Sequence, residues 1–199
     1  LRYTESKLHI TGISTASGLD KIRKAKQEGL NITCSVTPYH LFFCEDDLNT
    51  YDTHLKVNPP LRTSSDRDAL RKGLLDGTID CITSHHQPLH WDDTHCEFEY
   101  AKYGMNGWET CFSAIVGSVG YSDGWIEKLT TNPRTISKLS IPEIKEGSVA
   151  CLTLFDPEAE VEYTAEKLKS LSKNSAFLNK ALKGKIIGTI SNHKINLLP

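Results

Sequence analysis

The sequence contains no apolar run approaching the roughly 20 residues that a membrane-crossing helix needs, so no helical span is expected. It carries no large excess of charge: 23 Lys and Arg stand against 25 Asp and Glu, a formal net charge of −2. That balance argues against nucleic acid or an anionic membrane as the main partner. The six cysteines are Cys34, Cys44, Cys81, Cys96, Cys111 and Cys151, and none forms a C-x-x-C pair. A zinc knuckle would need closer pairs. They are expected as small buried hydrophobes of a reducing compartment, the cytoplasm. Repeats, low-complexity tracts and a basic-then-apolar signal peptide are all missing. There is also no initial Met. The chain opens on L-R-Y-T-E-S and enters a strand pattern at once, as expected of the inside of a longer protein or the C-terminal product of one.

What is present fits a globular α/β protein, with 38% apolar and 24% charged residues in 199. Lys7 to Ser14 has the pattern of a strand. Ser14 or Thr15 can cap a following helix with the stripe Leu19, Ile22 and Ala25, stopped by Gly29. Asn31 to Val36 is a second strand, and Leu41 to Phe43 carries its apolar character into a loop. After the acidic, turn-rich E-D-D-L-N-T-Y-D-T comes a helix over Arg67–Leu75, ended by Gly77, and a third strand over Thr78–Thr83. Strand, helix, strand, helix, strand is a run of parallel βα units. The third strand delivers T-S-H-H-Q-P-L (Thr83 to Leu89), and α/β barrels build their sites at such strand ends. Three strands cannot close a barrel of eight, so residues 1–140 are expected to be the last βα units of one, completed by chain not included here. Helices are expected over Glu109–Val119 and from Gly124, with Pro133 breaking or capping near T-T-N-P-R. Residues 141–199 shift to strand-like patterning. Strands are expected over Ser148–Phe155, ending in a turn at Asp156–Pro157, then Val161–Thr164, Lys185–Ile190 and Ile195–Leu198.

The pieces L-H-I-T-G-I-S-T-A, V-T-P-Y-H-L, K-V-N-P-P-L-R-T, D-G-T-I-D-C-I and A-K-Y-G-M-N-G-W-E-T, followed by S-K-N-S-A-F and L-K-G-K-I-I-G-T-I, resemble the C-terminal half of a dihydroorotase. This family of the amidohydrolase superfamily is related to dihydropyrimidinases and allantoinases. The resemblance implies a TIM-type barrel and a small β-sandwich domain built partly from the tail. It also implies zinc-assisted ring opening of dihydroorotate to carbamoyl aspartate in pyrimidine synthesis. Further implications are an N-terminal half supplying most metal ligands, a homo-oligomer, and aspartate transcarbamoylase as the partner of non-catalytic homologues.

Mapped onto this chain, several expected groups are replaced. The family's H-x-S-T metal motif stands here as Gly12-Ile13-Ser14-Thr15, and Gly12 has no side chain to ligate with. The T-D-H-A-P-H motif stands as Ser84-His85-His86-Gln87-Pro88-Leu89. His85 thus occupies the position of the metal-binding, proton-shuttling Asp, and Leu89 that of a substrate-binding His. His85 is a possible zinc ligand but a poorer shuttle, and losing an acid–base group costs ~10²–10⁴ in rate. Asn58 and the Gly104 turn, substrate contacts in the family, are kept, as is His86. His85, His86, His90 and His95 are expected as barrel-mouth or loop residues, with a metal site of their own as the alternative. Tyr39 and His40 are expected to be structural. Arg62 is expected in an ion pair with Asp66 or Asp68, with carboxylate binding as the alternative.

Overall fold

The computed structural model describes residues 1–198. A short parallel sheet forms from β1 (Leu8–Ile10), β2 (Ile32–Val36) and β3 (Cys81–Ile82), in that spatial order. Leu8 pairs with Ile32 and Ile10 with Cys34, while Ser35 pairs with Cys81 and Val36 with Ile82. The helices α1 (Ala16–Gln27), α2 (Pro38–Phe42) and α3 (Ser64–Leu75) connect the strands. Thr15 Oγ1 accepts from Gly18 N to start α1, and Thr63 Oγ1 accepts from Asp66 N to start α3. Leu19, Ile22, Leu70 and Leu74 from these two helices bury against Cys34, Val36 and Ile82 of the sheet. At the base of the sheet Lys26 Nζ lies 2.7 Å from both oxygens of Asp80, and Asp80 Oδ2 accepts from Cys34 N.

Then come α4 (Cys111–Val119), α5 (Asp123–Ile126) and α6 (Thr131–Ile136), and after them an antiparallel sheet of β4 (Leu152–Glu162), β5 (Ala181–Ser191) and β6 (Lys194–Leu197). The helix α4 lies against this second sheet. Phe112 meets Phe155 at 4.7 Å between rings, and Ser113 Oγ donates to the Gly184 carbonyl. The segment before β5 and the start of β5 pack beside α2: Ala176, Phe177 and Leu182 share a buried cluster with Tyr39, Phe43, Leu55, Val57 and Met105.

Several local expectations are corrected. Leu41 does not start a loop; it lies in α2, where Thr37 caps and Pro38 supplies a preset φ at the first helical position. Pro133, expected to break or cap a helix, sits in the first turn of α6, where its missing N–H costs nothing. No turn ends the strand at Asp156–Pro157. A register shift between Asp156 and Glu160 absorbs the proline, and β4 continues through Val161. β4 is an edge strand, the place where a sheet tolerates Pro. Arg62 is exposed and makes no ion pair within 4.0 Å among the described residues. Asp68 faces Arg67 and Arg71 instead, and Asp66 accepts from Ala16 N at 2.8 Å. That bond, more than the charge of Arg62, holds the Asp66 carboxyl below its usual range. The cysteines are all free, with Cys34, Cys44 and Cys81 buried but Cys151 exposed. No helix among the described residues is long and apolar enough to cross a membrane.

Candidate active site

The C-terminal ends of the three parallel strands converge on one mouth. Gly12 follows β1 at φ +68, and a Cβ built on it would lie 3.4 Å from Pro59 Cδ. An L-residue in that left-handed conformation costs roughly 1–2 kcal/mol, so glycine suits the position as it is folded here. Asn58 is exposed beside it, ahead of the same proline. Thr37, Tyr39 and His40 follow β2, and His40 is buried at 2% exposure. His40 Nε2 lies 3.0 Å from the Pro59 carbonyl, which ties α2 to the Asn58 loop, and its Nδ1 lies 2.8 Å from Thr37 Oγ1. Burial pushes the His40 imidazole down to about 4, so it is neutral over the ordinary range.

His85 and His86 follow β3. His85 adopts φ 45, and its Nδ1 lies 2.5 Å from Tyr39 Oη. Burial pushes the Tyr39 phenol up from its usual value, keeping it protonated. His86 stacks on Trp108 with rings 4.4 Å apart, and its Nδ1 accepts from Gly107 N. Gly104 N donates to the Lys56 carbonyl at 2.9 Å, so that N–H is engaged within the chain. Lys56 in turn donates to the Phe98 and Glu99 carbonyls.

Leu89 lies where the mouth meets the tail. It lines a cavity of about 600 Å³ with Trp91, His95 and Asn174, and none of Gly12, Asn58 and His85 lines that cavity. Its backbone is fastened to the tail: Leu89 N donates to Asn174 Oδ1 and Ser172 Oγ at 3.2 Å, and Ser172 Oγ donates to the Leu89 carbonyl. Asn174 Nδ2 also donates to the Gln87 and Gly104 carbonyls, at 3.0 and 3.2 Å. The sequence shows S-K-N-S-A-F as a motif but not its task, because Asn174 and Leu89 are 85 positions apart. The Asn174→Ala substitution removes the Asn174 part of this latch and leaves the buried Gly104 carbonyl and the Gln87 carbonyl without that donor. It is expected to cost about 2 kcal/mol in urea-induced unfolding and to speed amide exchange at Leu89. A loss below about 0.5 kcal/mol would show that the latch carries little.

No model of a protein family matches the chain. It is 40% identical over 197 residues to a dihydroorotase of Caldicellulosiruptor saccharolyticus, covering 96% of this chain and 46% of that protein. With a dihydroorotase of Endomicrobium trichonymphae the identity is 37% over 194 residues, covering 94% of this chain and 46% of that protein. The chain is thus similar to the C-terminal half of dihydroorotases. It spans about half the length of the curated relatives it matches. Among solved structures, the L-hydantoinase of Arthrobacter aurescens superimposes with a TM-score of 0.89 at 22% identity, over 98% of this chain and 45% of that one. A structure titled the inactive dihydroorotase-like domain of the Chaetomium thermophilum CAD-like multifunctional protein gives 0.68 at 21% identity, over 98% and 52%. The fold is therefore the mixed α/β architecture of the hydantoinases, over part of its length.

Toward the zinc that the dihydroorotase resemblance implies, Gly12 offers no donor, and His85 and His86 have their Nδ1 atoms engaged, which leaves their Nε2 atoms as the donors. The four mouth and loop histidines do not gather into a site of their own. His95 stacks on Trp91 at 4.0 Å, and His90 turns to Asp92 at 3.2 Å. Among the described residues no three His, Cys, Asp or Glu side chains group to hold a metal ion.

Proposed function

We propose that this dihydroorotase-like chain comes from a protein whose metal site is degenerate, and that the protein acts as a partner or scaffold with little or no catalysis of its own. The observation that carries this reading is the pair of substitutions at the mouth. Gly12 stands where a ligating His is expected, and a Tyr39-held His85 stands where the acid–base Asp is expected. The chemistry of ring opening needs a group that takes and returns a proton at that position, and an imidazole already bonded through one nitrogen is poorly suited to it. The frame around the site is kept, with Asn58, His86 and Gly104 in place, as a surface retained for assembly would be. Homo-oligomerisation, assembly with aspartate transcarbamoylase and a cytoplasmic setting belong to this proposal, as does completion of the barrel by an N-terminal half.

The competing reading is an active zinc-dependent dihydroorotase or related cyclic amide hydrolase completed by that half, and the retained Asn58 and His86 favour it. Metal analysis and a dihydroorotate assay on the purified protein with its whole barrel decide between them. We expect substoichiometric zinc and no ring opening. Turnover of dihydroorotate that a chelator abolishes would overturn the scaffold reading. Restoring the expected groups together, by Gly12→His, His85→Asp and Leu89→His, is expected to raise zinc retention in the same metal analysis. Unchanged zinc retention would count against the correspondence of these three positions.

A further inference from the structure

The turn of residues 105–110 lies between the mouth and the tail and is gripped from both sides. Toward the mouth, Trp108 stacks on His86 with the rings 4.4 Å apart and 13° from parallel. Gly107 N donates to His86 Nδ1 at 3.3 Å. There is no slack at Gly107, since a Cβ built on it would lie 2.7 Å from the Ser84 carbonyl oxygen. Toward the tail, Asn106 N donates to the Asn174 carbonyl at 2.8 Å, and Asn106 Nδ2 to the Ser172 carbonyl at 2.9 Å. Glu109 completes this side. Its Oε2 accepts from Lys169 N at 2.8 Å and its Oε1 from Ser170 N at 3.0 Å.

The same stretch of tail is held from its other side by Lys173. Lys173 Nζ donates to the Leu168 carbonyl at 2.9 Å and to the Ser170 carbonyl at 2.7 Å. Ser170 thus has its N–H on a carboxylate and its carbonyl on an ammonium. Hydrogen bonds with one ionised partner are roughly twice as strong as neutral ones. Glu109 is half-buried, so its bonds are less screened than those of a fully exposed carboxylate. Neither buried apolar cluster contains Trp108. Within this chain the stack on His86 therefore depends on where the backbone of the turn sets the indole. A side chain at a site stays in place only if the groups behind it are themselves fixed.

We propose that Glu109 is a positioning residue for the mouth: by binding two successive amides of the tail it sets the turn of residues 105–110, and Trp108 and Gly107 then fix the ring of His86. The tail thereby governs a side chain at the end of β3. Glu109 has this role whether the mouth belongs to a scaffold or to an enzyme, so it goes beyond the proposed loss of the metal site.

The test is NMR and amide exchange on the purified protein with its whole barrel, labelled with carbon-13 and nitrogen-15 at histidine. A ring stacked on an indole has its protons shifted upfield, so His86, identified by the signal lost in His86→Asn, reports the stack. Glu109→Gln keeps the size of the side chain but presents a donor where one of the two tail amides needs an acceptor. In that variant we expect faster exchange at Lys169 and Ser170 and a downfield move of the His86 ring protons, while His40 keeps its shifts. Lys173→Met loosens the same stretch of tail without touching residues 105–110. It is expected to move His86 in the same direction, and it decides the matter if the Glu109 variant does not fold. Faster tail exchange with unmoved His86 shifts would overturn the inference, because the clamp would then serve the tail alone. Unchanged exchange at Lys169 and Ser170 in Glu109→Gln would overturn it as well.

Discussion

Replacing Phe177 with Ala is expected to destabilise the chain by about 4 kcal/mol, measured by urea unfolding followed by circular dichroism. The ring is 1% exposed. It meets Phe42 edge-on at 5.2 Å and 77°, and Phe43 at 4.9 Å and 43°. Aromatic pairs of this kind contribute ~0.5–1.5 kcal/mol beyond the area they bury. The truncation would also leave a cavity among Tyr39, Leu55, Val57, Met105 and Leu182, side chains from four separate stretches of chain that cannot all close over it. Phe177 is the anchor by which the segment before β5 grips the residues behind the mouth. The variant is therefore also expected to lose order at Tyr39 and His85, seen as broadened aromatic resonances. A cost below about 1.5 kcal/mol would mean that the cluster repacks and that the anchor lies elsewhere.

Acidification provides the second large effect. The His40 imidazole is pushed down to about 4 by burial, from an ordinary value of 6.5. A depressed histidine contributes stability that is fully present above the unfolded value. As the pH falls from about 6.5 toward 4, the unfolded chain takes up a proton that the folded chain refuses, and stability drops. A shift of this size corresponds to about 3 kcal/mol lost across that window. Urea midpoints at about pH 7 and pH 4.5 should show the drop, and His40→Asn should flatten it. An equal slope in the variant would place the acid sensitivity in other groups.

Much of the fold was legible because local signals and the hydrophobic period agree. Thr15, the stripe Leu19 and Ile22, and Gly29 mark α1 without help from tertiary contacts, and the apolar β2 is bounded on both sides by turn residues. The misjudged pieces are those where tertiary context overrides a local cue. Pro157 signals a turn, but at a sheet edge it is accommodated in an irregular stretch of β4. Leu41 and Phe43 have no period long enough to mark a five-residue helix, although Thr37-Pro38 is a start signal that could have found it.

At the site, Gly12, Asn58 and His85 could be named from motif spacing, since each follows or faces the end of a strand. The groups that act on them could not. Tyr39 reaches His85 across 46 positions. The same distance problem hides Asn174, whose motif carries no chemical label until the fold brings it against Gln87 and Gly104. Leu89 shows the opposite limit. Motif position groups it with His85, and nothing in that motif shows that its backbone is bonded to the tail.

The latch formed by Ser172 and Asn174 has a consequence for the order of folding. It closes loops of more than 80 residues by hydrogen bonds, next to the Phe177 contact. Chain entropy makes so remote a contact slow to form compared with the local pairings of β1, β2 and their helices. During synthesis the mouth therefore stays ajar until the tail has emerged, and the turn carrying His85 is among the last parts of the chain to reach its final shape.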